Sequence, residues 1–190
     1  MKIGFDAKRL FNNYTGLGNY SRTLVKNYAQ SSTNSINLYT THSNNNKETE
    51  IFYDENKFFL HITKSLIKSL WRSCGIVKQL KKDKIKIFHG LSNELPIGIK
   101  NSGVKSIVTI HDLIFKIYPK TYPLFDRFIY DFKFKHACKT ADKIIAISEQ
   151  TKKDIIRFYN IPENKIEVVY QSCNDLFFNN NKKDKSTLTT

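Results

Sequence analysis

Short runs of β-branched and aromatic residues alternate along this chain with stretches whose apolar positions recur every three to four residues. The first pattern is that of a buried strand and the second that of an amphipathic helix, so their alternation predicts an α/β domain built on a parallel sheet. Strands are expected near 2–7, 36–41, 57–61, 85–89, 104–110, 143–147 and 166–170. Helices fill the intervals. One near 18–31 aligns Leu17, Tyr20, Leu24, Val25 and Tyr28 on a core-facing stripe. A second near 63–82 gathers Leu66, Ile67, Leu70, Trp71, Ile76, Val77 and Leu80 with lysines opposite, and Gly75 marks a bend or a break. A third near 122–141 carries Phe125, Phe128, Ile129, Phe132 and Phe134. Ser148 stands where an N-cap belongs, ahead of a helix from Glu149 to Tyr159 that Pro162 stops. The polar segments 31–35 and 43–48, and the Pro- and Gly-bearing segment 90–103, read as loops. No internal repeat is present.

Composition agrees with a folded domain. The chain has 190 residues, 40% of them hydrophobic and 13% aromatic, enough for a sizeable core. Uncharged apolar runs are far shorter than the roughly 20 residues needed to span a bilayer. The first residues lack the apolar stretch and cleavage site of a signal peptide, so a cytoplasmic protein is expected. Cys74, Cys138 and Cys173 are odd in number and form no C-x-x-C pair, which argues against a disulfide framework or a thiolate zinc site. The formal net charge of +14 selects anionic partners: nucleic acid, anionic lipid or phosphorylated ligands. That charge is concentrated between Lys64 and Lys86, where Lys64, Lys68, Arg72, Lys78, Lys81 and Lys82 belong to a run with one acid, Asp83. Such a run is either a solvated lysine face or an attachment surface for anionic lipid, with Trp71 either core or anchor.

Candidate chemistry sits at predicted strand ends. Thr15-Gly16-Leu17-Gly18-Asn19-Tyr20 opens a helix, and glycines at a helix N-terminus let unpaired N–H groups approach an anion. The dinucleotide fingerprint is excluded, because its third glycine position holds Ser21 and the preceding loop is about eight residues too long. An isolated G-x-G can also be a plain turn. The run Val108-Thr109-Ile110 ends in His111-Asp112, a polar pair where open α/β sheets bind ligands; the alternative is a capping aspartate beside a surface histidine. By the same logic His89 and the Ser148-Glu149 pair belong to one crevice. The five histidines show no i, i+4 pair and no H-E-x-x-H pattern, and neither G-x-S-x-G nor a P-loop occurs. No RNP-like, helix-turn-helix or zinc pattern supports a nucleic-acid binder.

Five segments, taken in order, resemble the N-terminal domain of a GT-B glycosyltransferase of the large retaining family 4, which includes many bacterial mannosyltransferases. They are Ile3 to Leu10, Gly16 to Arg22, Thr109 to Leu113, Ala141 to Glu149 and Ile166 to Tyr170, spread over nearly the whole chain. The resemblance implies the Rossmann-like half of a two-domain enzyme that moves sugar from a nucleotide-sugar donor to a glycan or lipid-linked acceptor in cell-surface polysaccharide synthesis. It implies that Gly16, Leu17 and Gly18 approach the donor phosphates and that His111 hydrogen-bonds the transferred sugar, with Asp112 beside it. Asn19, Tyr20, His89, Ser148 and Glu149 then line the acceptor cleft. The chemistry implied is free of metal and cofactor, and attachment to the inner membrane leaflet fits the charge.

The chain also departs from that pattern. Tyr170-Gln171-Ser172-Cys173-Asn174-Asp175 stands where the family has a polar Asn-Gly pair and an Asp before crossing to a donor domain. The expected organisation is therefore an acceptor-side domain over 1–175 and a linker over 176–190, catalytically incompetent alone. The rival expectation is a non-catalytic module that docks on a membrane or on a separate catalytic chain.

Overall fold

A computed structural model describes residues 1–172. The linker expected over 176–190, the end of the domain expected over 1–175 and Cys173 lie outside the described residues. Seven strands form one parallel sheet in the order β3-β2-β1-β4-β5-β6-β7. They are β1 (Lys2–Asp6), β2 (Ser35–Thr40), β3 (Phe58–Ile62), β4 (Ile87–Gly90), β5 (Lys105–Ile110), β6 (Lys143–Ala146) and β7 (Ile166–Val168). Each strand was legible to within two residues at either end. The central strands are buried on both faces, which is why they read as continuous apolar runs rather than alternating ones.

The helices cover both faces. On one, α1 (Lys8–Asn12) and α2 (Gly16–Ser31) pack over β1 and β2, with Leu10, Phe11 and Val25 against Ile3, Phe5, Ile36 and Leu38. On the other, α4 (Ile76–Lys82), α6 (Leu124–Thr140) and α7 (Glu149–Tyr159) bring Ile76, Leu80, Ala137, Cys138, Ile155 and Tyr159 against Phe88, Val108, Ile110 and Ile144. Between these lie the short α3 (Lys68–Leu70) and α5 (Ile114–Ile117). Strand order reverses between β1 and β4, so the crevice beyond their carboxyl ends is where an open sheet of this kind binds ligands.

Two expectations about helices change. The short α1 was not foreseen, because five residues carry too little period to read. The single helix expected over 63–82 starts later, at Lys68, and runs to Lys82 with a π-helical turn over Trp71–Gly75 inside it; residues 63–67 are not helical, and the apolar face does not extend through Leu66, Ile67 and Leu70, which are exposed. The chain stays helical through Gly75, which ends the π-helical turn in right-handed geometry and marks no break.

Candidate functional site

The N-terminus of α2 is held by one side chain. Asn13 Oδ1 accepts from the Thr15 and Gly18 N–H groups and from the Thr15 hydroxyl, all within 3.0 Å. Arg22 supports the same loop from below, donating to the carbonyls of Leu10 and Asn13 and to Asn19 Oδ1, and pairing with Glu48 at 2.7 Å. Gly18 is required sterically, since a Cβ there would lie 1.6 Å from the Asn13 carbonyl oxygen. Gly16 is exposed with open space around it, and its N–H and that of Leu17 have no acceptor among the described residues. Of the three expected phosphate-binding positions, then, Gly18 serves the turn while Gly16 and Leu17 leave donors facing out.

Tyr20, one turn into α2, brings this N-terminus to the end of β5. Its ring meets the His111 imidazole edge-on at 4.8 Å, and its hydroxyl bonds Thr109 Oγ1 at 2.9 Å. Thr109 Oγ1 also bonds His89 Nε2 at 2.9 Å. His89 is buried, and burial, with His111 nearby, pushes its pKa down to about 4, so it is a neutral imidazole; it lines a cavity of about 520 Å³ together with Tyr20, Ile107, Ile145 and Gln171. Burial raises the Tyr20 phenol above its ordinary value.

His111 has both ring nitrogens engaged. Nε2 donates to the Leu91 carbonyl at 3.0 Å, which fixes the tautomer and leaves Nδ1 as an acceptor, met by the Gln171 amide at 2.9 Å. Burial lowers its pKa, opposed by the Leu91 bond and the charge of Asp112. Its main-chain N–H donates to Asn93 Oδ1 and its carbonyl accepts from Thr151 Oγ1. Ser148 caps α7 by accepting from the Thr151 N–H, so Ser148 reaches His111 through Thr151. Asp112 turns outward, exposed, and accepts from the Ile114 N–H at the start of α5, the capping geometry that competes with a catalytic one. Glu149 and Asn19 are exposed, the latter bonded to Arg22.

The basic residues separate. Lys64, Lys68, Lys78, Lys81 and Lys82 are exposed. Arg72 does not belong to that face: its guanidinium is buried between Asp6, at 2.6 Å, and Glu94, and Lys133 completes the cluster through Glu94 at 3.3 Å. Burial opposes the charge of Arg72, but the two carboxylates outweigh it and raise its pKa; burial likewise opposes the Glu94 charge, and Arg72 and Lys133 hold that carboxyl below its usual range. The cluster stands at the end of β1 and lines an apolar cavity of about 160 Å³ with Phe88, Ile97, Phe128 and Phe132.

Sequence reasoning missed Asn13, Leu91, Asn93, Glu94, Thr109 and Gln171. Only Asn93 carried a signal: it is an asparagine in the left-handed region, φ 60°, inside a segment already read as a loop.

Fold and strand-end crevice together define the Rossmann-like α/β half of a GT-B architecture. The family described as Glycosyltransferase Family 4 matches residues 14–174, and the chain belongs to it. Among solved structures it is similar to a glycosyltransferase from Rickettsia africae ESF-5, with TM-score 0.56 and 15% identity over 97% of this chain and 46% of that one. It is also similar to the lipopolysaccharide outer core galactosyltransferase WaaB in its apo form, with TM-score 0.52 and 17% identity over 91% of this chain and 46% of that one. A third similar structure is a UDP-N-acetylglucosamine 2-epimerase from Rickettsia bellii, with TM-score 0.55 and 12% identity over 90% of this chain and 45% of that one. The chain thus spans a little under half the length of each. Comparison with curated proteins gives no match. Among the described residues no helix is long and apolar enough to cross a membrane, and no three His, Cys, Asp or Glu cluster so as to hold a metal ion.

Proposed function

We propose that this domain is the acceptor-side wall of a retaining sugar-transfer cleft, acting with a second domain that grips a nucleotide-sugar donor. The observation that carries the reading is His111: a neutral imidazole with its tautomer fixed by Leu91, at the end of β5 and one ring away from the glycine-opened N-terminus of α2. Its Nδ1 is an acceptor suited to a sugar hydroxyl, and the outward Gly16 and Leu17 N–H groups, with the helix dipole, suit the departing diphosphate. The reading calls for no metal or cofactor. Hexosyl, and within it mannosyl, transfer to a glycan or lipid-linked acceptor in polysaccharide synthesis on the cytoplasmic side is its full form. Asp112 is a capping group in this reading.

The test is transfer of labelled sugar from nucleoside diphosphate sugars by a protein that unites this domain with a donor domain. His111→Ala should lower turnover by far more than it lowers unfolding stability; equal losses would make His111 structural and end the reading.

One observation favours a second reading, a non-catalytic docking module. Gln171 already occupies Nδ1 of His111, so within this chain the imidazole is satisfied without a sugar. Gln171→Ala separates the two: it should tighten sugar-nucleotide binding if Gln171 holds the place of a substrate hydroxyl, and leave it untouched in a docking module.

A further inference from the structure

Tyr14 presents an aromatic ring at the surface and holds it still. The side chain is 51% exposed, and the Arg22 guanidinium lies behind it, 5.7 Å from the ring centroid, so the bare face is the opposite one. The Asn46 amide donates to the phenol oxygen at 2.7 Å. That amide has one orientation, because Asn46 Oδ1 accepts from the Glu48 N–H at 3.0 Å. The phenol oxygen is therefore the acceptor, and its own proton has no acceptor among the described residues. Arg22 is buried and fixed by the Leu10 and Asn13 carbonyls and by Glu48, while Asn12 ties the Asn46 loop to α1 by donating to the His42 carbonyl at 2.9 Å. An exposed side chain ordinarily samples several rotamers, and one held in place lowers the cost of setting a second ring against it.

Position selects the occupant. Tyr14 precedes Gly16 by two residues, at most about 7 Å of chain, and leans on the loop that follows β2. Tyr20 and His111 lie on the other side of the same turn, at the end of β5. Since β2 and β5 stand on opposite sides of β1, the order across the crevice is His111, then the outward Gly16 and Leu17 N–H groups, then Tyr14. With a sugar at His111 and a diphosphate at the turn, the next group along the donor is the nucleoside. Every nucleobase offers the flat π-face that a bare tyrosine face stacks against, and the free phenol proton suits a ribose hydroxyl or a base carbonyl. Glu48 does not repel such an anion, because Arg22 pairs with it at 2.7 Å.

We propose that Tyr14 is a stacking platform for the nucleobase of a nucleoside diphosphate sugar. This wall then meets the donor on both sides of its diphosphate, rather than leaving the nucleoside to the second domain alone. The platform rests on the reading of the Gly16 turn as the diphosphate site.

The test is NMR titration of the full chain with UDP, GDP and inorganic pyrophosphate. The Gly16 and Leu17 amides report the diphosphate, and the Tyr14 ring protons report the base through its ring current. Both nucleotides should move the two amides and shift the Tyr14 ring upfield, GDP binding the tighter because a purine covers more of the ring. Pyrophosphate should move the amides alone. Tyr14→Leu keeps an apolar side chain without a π-face, and it should weaken both nucleotides about tenfold at unchanged pyrophosphate affinity and nearly unchanged melting temperature. Tyr14→Phe should retain most of the affinity. Nucleotides that bind no more tightly than pyrophosphate and leave the Tyr14 ring unshifted overturn the platform while the diphosphate reading stands. Amides that move with none of the three overturn that reading and the platform with it. A Tyr14 shift produced by a methyl glycoside but by neither nucleotide also overturns the proposal, and assigns the ring to the acceptor.

Discussion

The ring of Tyr20 stands perpendicular to the imidazole of His111, centroids 4.8 Å apart, and this contact joins the first turns of α2 to the end of β5. A second bond fixes the phenol: its hydroxyl meets Thr109 Oγ1, which in turn meets His89. Tyr20→Phe keeps the edge-on ring and removes the hydroxyl from this partly buried chain. It is expected to cost about 1 kcal/mol in urea unfolding. Tyr20→Ala removes ring and hydroxyl together, and it should cost more and broaden the His111 ring resonances in NMR as the imidazole loses its wall. Unchanged resonances in the alanine variant would show that Leu91 and Gln171 alone hold His111.

Arg72 yields the sharpest contrast between a surface and a buried reading of one residue. Were it one more cation on a solvated face, Arg72→Ala would be nearly silent. Buried between Asp6 and Glu94, its loss strands the Asp6 carboxylate and leaves Glu94 with Lys133 alone, and the expected cost is about 3–5 kcal/mol. Denaturant unfolding measures it, and adding Asp6→Ala to Arg72→Ala should recover part of the loss because the stranded charge is removed.

The Arg72 case also shows why some of this molecule was legible in its sequence and some was not. Strands and long helices announce themselves because burial imposes a period: Ile3 and Phe5 face one layer, and Glu149–Tyr159 carries its own N-cap in Ser148. The strand-end histidine was legible for a similar reason, since a β-rich run that stops at a polar pair marks the sheet edge. Arg72 was not, because its position depends on a π-helical turn and on a carboxylate 22 residues away, neither of which leaves a local pattern. Leu91 and Gln171 were invisible for another reason. One contributes only a carbonyl, and the other meets His111 across 60 positions.

The two glycines of the α2 turn should respond differently to the same substitution. Gly18→Ala forces a Cβ into the Asn13 carbonyl, so the loop must open, and a loss of about 2 kcal/mol or more is expected. Gly16→Ala meets nothing and replaces glycine in the first turn of a helix, so stability should hold or rise by a few tenths of a kcal/mol. If Gly16 approaches a diphosphate, a bulkier Gly16→Val should weaken nucleotide-sugar binding at unchanged melting temperature, as calorimetry of the two-domain protein would record.

Acid should destabilise this domain through its buried histidines. His89 has a folded pKa of about 4 against an ordinary value near 6.5, because burial penalises the imidazolium and His111 lies close. Between those two values the unfolded chain binds a proton that the folded chain refuses, so stability falls as pH falls. The contribution is complete above about pH 6.5, is lost progressively down to about pH 4, and changes no further below that. The full span is on the order of 3 kcal/mol for this group. His111, also lowered by burial, adds a loss of the same sign, and half-buried His61 adds a smaller one. Melting temperatures of the wild type and of His89→Gln, measured from pH 7 to pH 4, check this. The glutamine variant starts lower at pH 7, having lost the imidazole that packs against Phe5, but it should fall less steeply with acid. Parallel curves would mean that His89 takes up its proton equally in the folded and unfolded chains over this range, and would remove it as the source of acid sensitivity.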